Sequence, residues 1–171
     1  MFLHGLAIAH RDIKMENIIC NEDLTAVKFI DFGLCIDINE EKSQLSKEFC
    51  GTVSYMPPEI FERKPYDPKK ADIWSLGVLL YKLAFDRYPY RGKDENEMLF
   101  KITRTKVVYP EYCNEGLKNL LEKMFIKRFC LPIDTNISLY ENGIEHIDSC
   151  LCGQYNHVSC VLQGKHGLEK R

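Results

Sequence analysis

Two short β-prone runs, Ile18 to Cys20 and Ala26 to Ile30, flank a polar string in which Asn21, Glu22 and Asp23 suit a turn. An apolar run, a turn cluster and a second apolar run predict a hairpin, and this one delivers its chain to Asp31. Further along, "DPKKADIW" starts a helix whose apolar residues, Ile73, Trp74, Leu76, Val78, Leu79, Leu80 and Leu83, occupy nearly every face. Such a helix belongs at the centre of a helical domain, with Asp67 or Asp72 near its first turn. The string "RYPYRG" breaks it, "DENEMLFKITR" predicts an amphipathic helix from about Asn96 to Arg104, and "NEGLKNLLEKMF" predicts another with Leu117, Leu120, Leu121 and Met124 on one stripe. Between Asp31 and Glu59 the pattern is irregular and includes Pro57 and Pro58. A connection of that length inside a compact domain is usually functional. The expected fold class is mainly α with a small β-hairpin.

Composition changes this picture little. The 171 residues, 45% hydrophobic and 28% charged, suffice for a globular domain with its own core. A net charge of -2, with the charges interspersed, gives no basic face for nucleic acid and no polybasic segment for a membrane. The longest apolar stretch, Ile73 to Phe85, is too short to span a bilayer and contains Lys82. The start lacks a basic region and a small-residue cleavage site, so no signal peptide is expected and a cytoplasmic or nuclear location follows. Cys20, Cys35, Cys50 and Cys113 are scattered singly and read as free thiols. Oligomeric state is not legible.

The chemistry is concentrated in "HRDIKMEN", His10 to Asn17, and in "DFG", Asp31 to Gly33. Phosphoryl transfer needs a carboxylate to orient and deprotonate the acceptor hydroxyl, a cation near the migrating phosphoryl group, and oxygen ligands for Mg²⁺. Asp12, Lys14, Asn17 and Asp31 supply all of these, a carboxylate and an amide carbonyl being the hard oxygen donors that Mg²⁺ prefers. Gly33 would give the segment after Asp31 backbone freedom. Taken singly, Asp12 is a turn residue, Asn17 a cap and Gly33 an ordinary turn glycine; taken together they point to one reaction.

In order and spacing, H-R-D-x-K-x-x-N, D-F-G and the P-P-E of Pro57 to Glu59 resemble the catalytic half of the eukaryotic protein kinases. Lys14 is the choice of the serine/threonine type. The resemblance implies a protein substrate with a Ser or Thr acceptor, and ATP and Mg²⁺ as cofactors. It implies Asp12 as base, Lys14 on the γ-phosphate, and Asn17 and Asp31 on Mg²⁺. His10 and Arg11 would brace the loop, Thr52 would bond near Asp12 and line the acceptor site, and Asp72 would anchor the loop's backbone. Through "LSKEFCGTVSYMPPEIF" and "YDPKKADIWSLGVLLY" the chain is most similar to the calcium/calmodulin-dependent and AMP-activated group, in particular the testis-specific kinases. In that group a threonine to be phosphorylated commonly stands two places before the cysteine. Here that place holds Glu48, which would imitate phosphate in part by pairing with Arg11; the other reading of Glu48 is a solvated surface charge.

Other features depart from the family. The 171 residues contain no G-x-G-x-x-G loop, and "AVKF" belongs to the hairpin, where Lys28 reads as a solvated strand lysine. The expectation is a large lobe without a small lobe, inactive as this chain. Related kinases pair the glutamate corresponding to Glu59 with a later arginine, for which Arg128 comes early. The expected division is a partial kinase domain over 1–128 and a poorly ordered, cysteine-containing tail over 129–171. In that tail Cys150, Cys152, His157 and Cys160, spaced C-x-C-x4-H-x2-C, fit no supported zinc geometry. Two rival readings remain: a non-catalytic interaction module built on a kinase lobe, and a zinc-binding tail beside a degenerate lobe.

Overall fold

The computed structural model describes residues 2–23, 25–39 and 44–126. The cysteine-containing tail and Arg128 lie outside the described residues.

The centre is the helix read from the apolar pattern. It starts where Asp67 Oδ1 accepts hydrogen bonds from the backbone N–H of Lys69 (2.9 Å) and Lys70 (3.4 Å), with Pro68 in the first turn, where a missing N–H costs nothing. It runs over Pro68–Phe85 (α3) and ends at Asp86, in the left-handed region at φ 50°. Trp74, Val78, Leu79, Leu80 and Tyr81 are all buried, which accounts for apolar residues on every face. Two amphipathic helices pack nearby: Glu95–Arg104 (α4), capped by Asp94, and Glu115–Met124 (α5), capped by Asn114. On α5, Leu117, Leu121 and Met124 are buried, while Leu120 is only partly so. The α3 and α5 backbones approach so closely at Gly77 that a Cβ there would sit 3.0 Å from the Met124 Cβ. Trp74 meets Phe125 edge-on at 5.2 Å and stacks on Tyr90 at 6.3 Å. No helix among the described residues is long and apolar enough to cross a membrane.

The remaining elements sit at the N-terminal side of α3. A short helix, Phe2–Gly5 (α1), leads to strand Ile8–Ala9 (β1). Ile18–Cys20 (β2) and Val27–Phe29 (β3) form the expected hairpin, with Ile18 opposite Phe29 and Cys20 opposite Val27. The stretch after Asp31 is less irregular than its pattern suggests. Ile36–Asp37 (β4) pairs antiparallel with β1, Ala9 facing Ile36, and residues 53–55 form a 3-10 turn before the short helix Pro58–Phe61 (α2). Two-residue strands carry no alternation, so this second sheet leaves no periodic signal.

Candidate active site

The loop between β1 and β2 is fixed by α3. Asp72, in its second turn and 1% exposed, accepts the backbone N–H of His10 through Oδ2 (2.8 Å) and of Arg11 through Oδ1 (2.7 Å). His4 of α1 adds a contact from Nε2 to Oδ2 at 2.8 Å. Three partners on one buried carboxylate satisfy a group that would otherwise be costly to bury. Held this way, the loop places Arg11 at φ 63°, a left-handed conformation that non-glycine residues rarely take, and sparsely populated conformations of this kind cluster at functional sites. Gly51 packs against it: at φ 104° a Cβ on Gly51 would stand 2.7 Å from the Arg11 carbonyl oxygen, so the glycine is required there.

Asp12 follows, 8% exposed and surrounded by donors. Thr52 donates its hydroxyl to Oδ1 at 2.7 Å. Lys14 Nζ donates to Oδ2 at 2.6 Å and to Thr52 Oγ1 at 3.0 Å. Asn17 Nδ2 reaches Asp12 Oδ2 at 3.1 Å and the Asp12 carbonyl at 2.9 Å. Burial pushes the carboxyl pKa up, but the bonds from Lys14, Thr52 and Asn17 and the charge on Lys14 outweigh it and hold Asp12 below the usual carboxylate range. A carboxylate offers about four acceptor sites. Oδ2 carries two donors and Oδ1 one, so an acceptor site on Oδ1 remains for an incoming hydroxyl.

The second carboxylate is brought in by the hairpin. Ile30 N–H bonds to the Asn17 carbonyl at 2.9 Å, which sets Asp31 beside Asn17 in space. His10, fully buried, contacts the Ile30 carbonyl through Nε2 at 3.2 Å and receives the Asp12 N–H on Nδ1 at 3.4 Å, an arrangement that the Nε2–H tautomer satisfies at both ends. Its ring packs against Phe29 and Phe32, with centroids 5.7 and 5.2 Å away. Asp31 itself is exposed, and its Oδ1 accepts the Gly33 N–H at 3.3 Å. The left-handed backbone falls on Asp31 (φ 61°) and Gly51, not on Gly33, whose lack of a side chain instead leaves room beside Asp31 Oδ1, 3.3 Å from where a Cβ would be.

Arg11 connects this loop to the segment that follows Asp31. Its Nε donates to the Leu34 carbonyl at 2.6 Å and its terminal nitrogen pairs with Glu48 at 2.5 Å. Glu59, at the start of α2, is half-buried, and the Lys64 N–H bonds its carbonyl oxygen rather than its carboxylate. Burial raises its pKa, the nearby Glu62 and Asp67 adding to the shift. Among the described residues no cation forms an ion pair with it, and the expected partner, Arg128, lies outside them.

The residues expected from the sequence thus converge: Asp12, Lys14, Asn17 and Thr52 in one hydrogen-bonded cluster, Asp31 at its edge, His10, Arg11 and Asp72 beneath. His4 and Tyr66 were not legible. His4 stands alone in the sequence, and only the fold brings it to Asp72; Tyr66 contacts the segment around Glu48 across an isolated bridge. As to fit, Asn17 and Asp31 offer Mg²⁺ hard oxygens: among the described residues, hydrogen bonds to Asp12 engage only the amide nitrogen of Asn17, and Asp31 keeps one carboxylate oxygen without a protein donor.

Comparison with known proteins gives the family. The protein kinase domain family matches residues 1–131. A sperm motility kinase, kinase W of Mus musculus, is 42% identical over 123 residues, covering 72% of this chain and 24% of the relative. Ribosomal protein S6 kinase alpha-6 of Homo sapiens is 39% identical over 124 residues, 72% of this chain and 16% of its own length. CBL-interacting serine/threonine-protein kinase 12 of Arabidopsis thaliana is 35% identical over 151 residues, 85% of this chain and 31% of its own length. The chain therefore spans less than a third of each of these relatives.

Proposed function

We propose that this chain, which belongs to the protein kinase domain family, carries the large-lobe half of a serine/threonine kinase site, the half that orients the acceptor hydroxyl and holds magnesium. The observation that supports this best is the Asp12 cluster, in which an ionised carboxylate is locked by Lys14, Thr52 and Asn17 while one acceptor site on Oδ1 stays free. With its pKa held low, Asp12 acts chiefly by accepting the hydroxyl's hydrogen bond and aligning its oxygen with the phosphoryl group. Lys14, which donates to Asp12 and Thr52, would supply a cation to an incoming phosphate. Asn17 and Asp31 would hold Mg²⁺, which supplies charge stabilisation on the phosphate oxygens when bound. The family match and the serine/threonine kinases among the relatives support the acceptor class.

Similarity in the activation segment favours the calcium/calmodulin-dependent and AMP-activated group. Work in the cytoplasm or nucleus fits a chain whose described cysteines are free. These 171 residues contain no glycine-rich phosphate clamp, so on their own they are expected neither to bind Mg·ATP at micromolar levels nor to transfer phosphate. The test is a fusion that supplies a small lobe from a close relative. Transfer of label from γ-labelled ATP to Ser or Thr peptides, lost in Asp31→Asn, is expected. A folded fusion that fails to bind nucleotide would contradict the assignment and favour the interaction-module reading.

A further inference from the structure

Lys82 is the one charged residue in the apolar stretch from Ile73 to Phe85, and the function proposed above leaves it unused. It lies in the last turn of α3, where a cation complements the helix end, but its ammonium is turned to a neighbouring ring. Nζ donates to the Tyr88 hydroxyl at 2.9 Å and stands 4.3 Å from the centre of the Tyr88 ring. Tyr88 meets Tyr55 edge-on at 5.7 Å, and the buried Tyr55 hydroxyl accepts the Met15 N–H at 3.4 Å. Met15 follows Lys14 in the loop that carries Asp12. Through its backbone Tyr55 is tied to the other wall of the same cluster: its N–H bonds the Thr52 carbonyl at 2.8 Å, and Thr52 holds Asp12 Oδ1. Two tyrosine rings thus connect the Lys82 ammonium to the acceptor side of Asp12.

Nothing described neutralises that ammonium. Among the described residues its polar contacts are with Tyr88 alone, and no carboxylate comes within ion-pair distance. An ammonium has three donors, and here one is spent. Tyr55 supplies no counter-charge: burial first, then Tyr88 and the charge of Glu16, push its pKa up against the effect of the Met15 N–H, so the phenol stays protonated. Lys82 is half-buried, and a cation in that position, with unspent donors beside an aromatic wall, favours an anion and repels a second cation.

We infer that Lys82 is a specificity-determining residue: with Tyr88 it forms a basic ledge beside the Asp12 loop that takes an Asp or Glu side chain of the protein substrate and disfavours Lys or Arg at that place. The occupant rests on the kinase reading, in which a peptide lays its Ser or Thr hydroxyl on Asp12. An extended peptide advances about 3.3 Å per residue, so a side chain about two to four residues from the acceptor spans the two rings.

The experiment is fluorescence anisotropy on the full chain without nucleotide. The labelled peptides carry a single Ser among Ala and Gly, with one Glu or one Lys placed at successive positions on either side. At one or two positions the Glu peptide should bind about fivefold tighter than its Lys counterpart at low salt, and the ratio should shrink as salt is raised. Lys82→Met, which keeps the apolar stem, should bring that ratio to within about twofold of unity, and Lys82→Glu should invert it. Lys82→Gln takes the place of either variant that loses helix by circular dichroism. Ratios near unity at every position in the unsubstituted chain, tighter binding of the Lys peptides, no binding of any peptide, or a ratio unchanged in Lys82→Glu would overturn the inference. Phosphotransfer by the small-lobe fusion tests the kinase reading separately: a Glu preference inverted in Lys82→Glu, beside a fusion that binds nucleotide but transfers nothing, would fault that reading and leave the ledge standing.

Discussion

Asp12 and Asp31, the two carboxylates of the candidate site, are built on different terms. Around Asp12 the protein satisfies its own polar groups: Thr52, Lys14 and Asn17 on the carboxylate, and beneath it a buried Asp72 that fastens the loop to the central helix. Around Asp31 the surface is open. The carboxylate is exposed, and Ile19, Val27 and Phe32 on the hairpin and its exit are 49%, 61% and 49% exposed. The side proposed to orient the hydroxyl is preorganised by the core of the domain, and precise positioning is what that chemistry demands. The side proposed to meet metal and nucleotide presents an exposed carboxylate and an apolar surface with no cover among the described residues, as expected of a face that is completed by what binds to it.

If this contrast is real, substitutions on the Asp12 side should cost stability and those on the Asp31 side should not. Asp72→Ala is the most damaging expected change, since it removes the acceptor for two backbone N–H groups and the partner of His4, at about 3–5 kcal/mol by denaturant unfolding. Thr52→Val should cost about 1–3 kcal/mol, because a hydrogen bond to a charged group is lost. It should also change the response to acid. The pKa of Asp12 is lower in the folded than in the unfolded state, so its contribution is present above the ordinary value of 3.8 and is lost as pH falls through the folded value. With Thr52 gone, burial is less fully opposed and the acid-induced loss of Tm should begin at higher pH. On the open side, Asp31→Asn and Ile19→Ser should each shift stability by no more than about 0.5 kcal/mol; a loss comparable to that of Thr52→Val would erase the contrast.

The smallest expected effect sharpens a different point. Glu59 has its pKa raised by burial and by neighbouring carboxylates, so the folded state favours its protonated form and the charged form destabilises the fold as pH rises through that range. Glu59→Gln should therefore raise stability slightly at pH 7, by a fraction of a kcal/mol, seen as a small rise in Tm. A fall in Tm instead would mean that a cation outside the described residues, with Arg128 the first candidate, reaches the carboxylate.

The reasons some of this was legible in the sequence and some was not are physical. The helices α3, α4 and α5 announce themselves through caps at Asp67, Asp94 and Asn114 and through stripes long enough to define a period. The hairpin has turn chemistry between its strands. The β1–β4 pairing has neither, being two residues a side and joined across a long excursion. Within the site, residues close in sequence, such as Asp12, Lys14 and Asn17, could be read as a group, and Asp72 and Thr52 came with the family resemblance. His4 on Asp72, Tyr66 on Glu48 and Arg63 on Phe49 are meetings that only the folded chain produces. The left-handed backbone at Asp31 carries no sequence signal, since aspartate gives no sign of it in advance.

The most direct measurement is phosphotransfer by the small-lobe fusion with Asp12→Asn, run beside nucleotide binding to the same protein. Asparagine keeps the size of the side chain and loses the charge that Lys14, Thr52 and the acceptor hydroxyl depend on. With Asp12 as the group that orients the hydroxyl, transfer should fall by roughly a hundredfold or more while Mg·ATP affinity stays within about threefold of the unsubstituted fusion, since the proposed metal donors are Asn17 and Asp31. Transfer at an undiminished rate in a folded, nucleotide-binding Asp12→Asn fusion would contradict the assignment of Asp12 and with it the site described here.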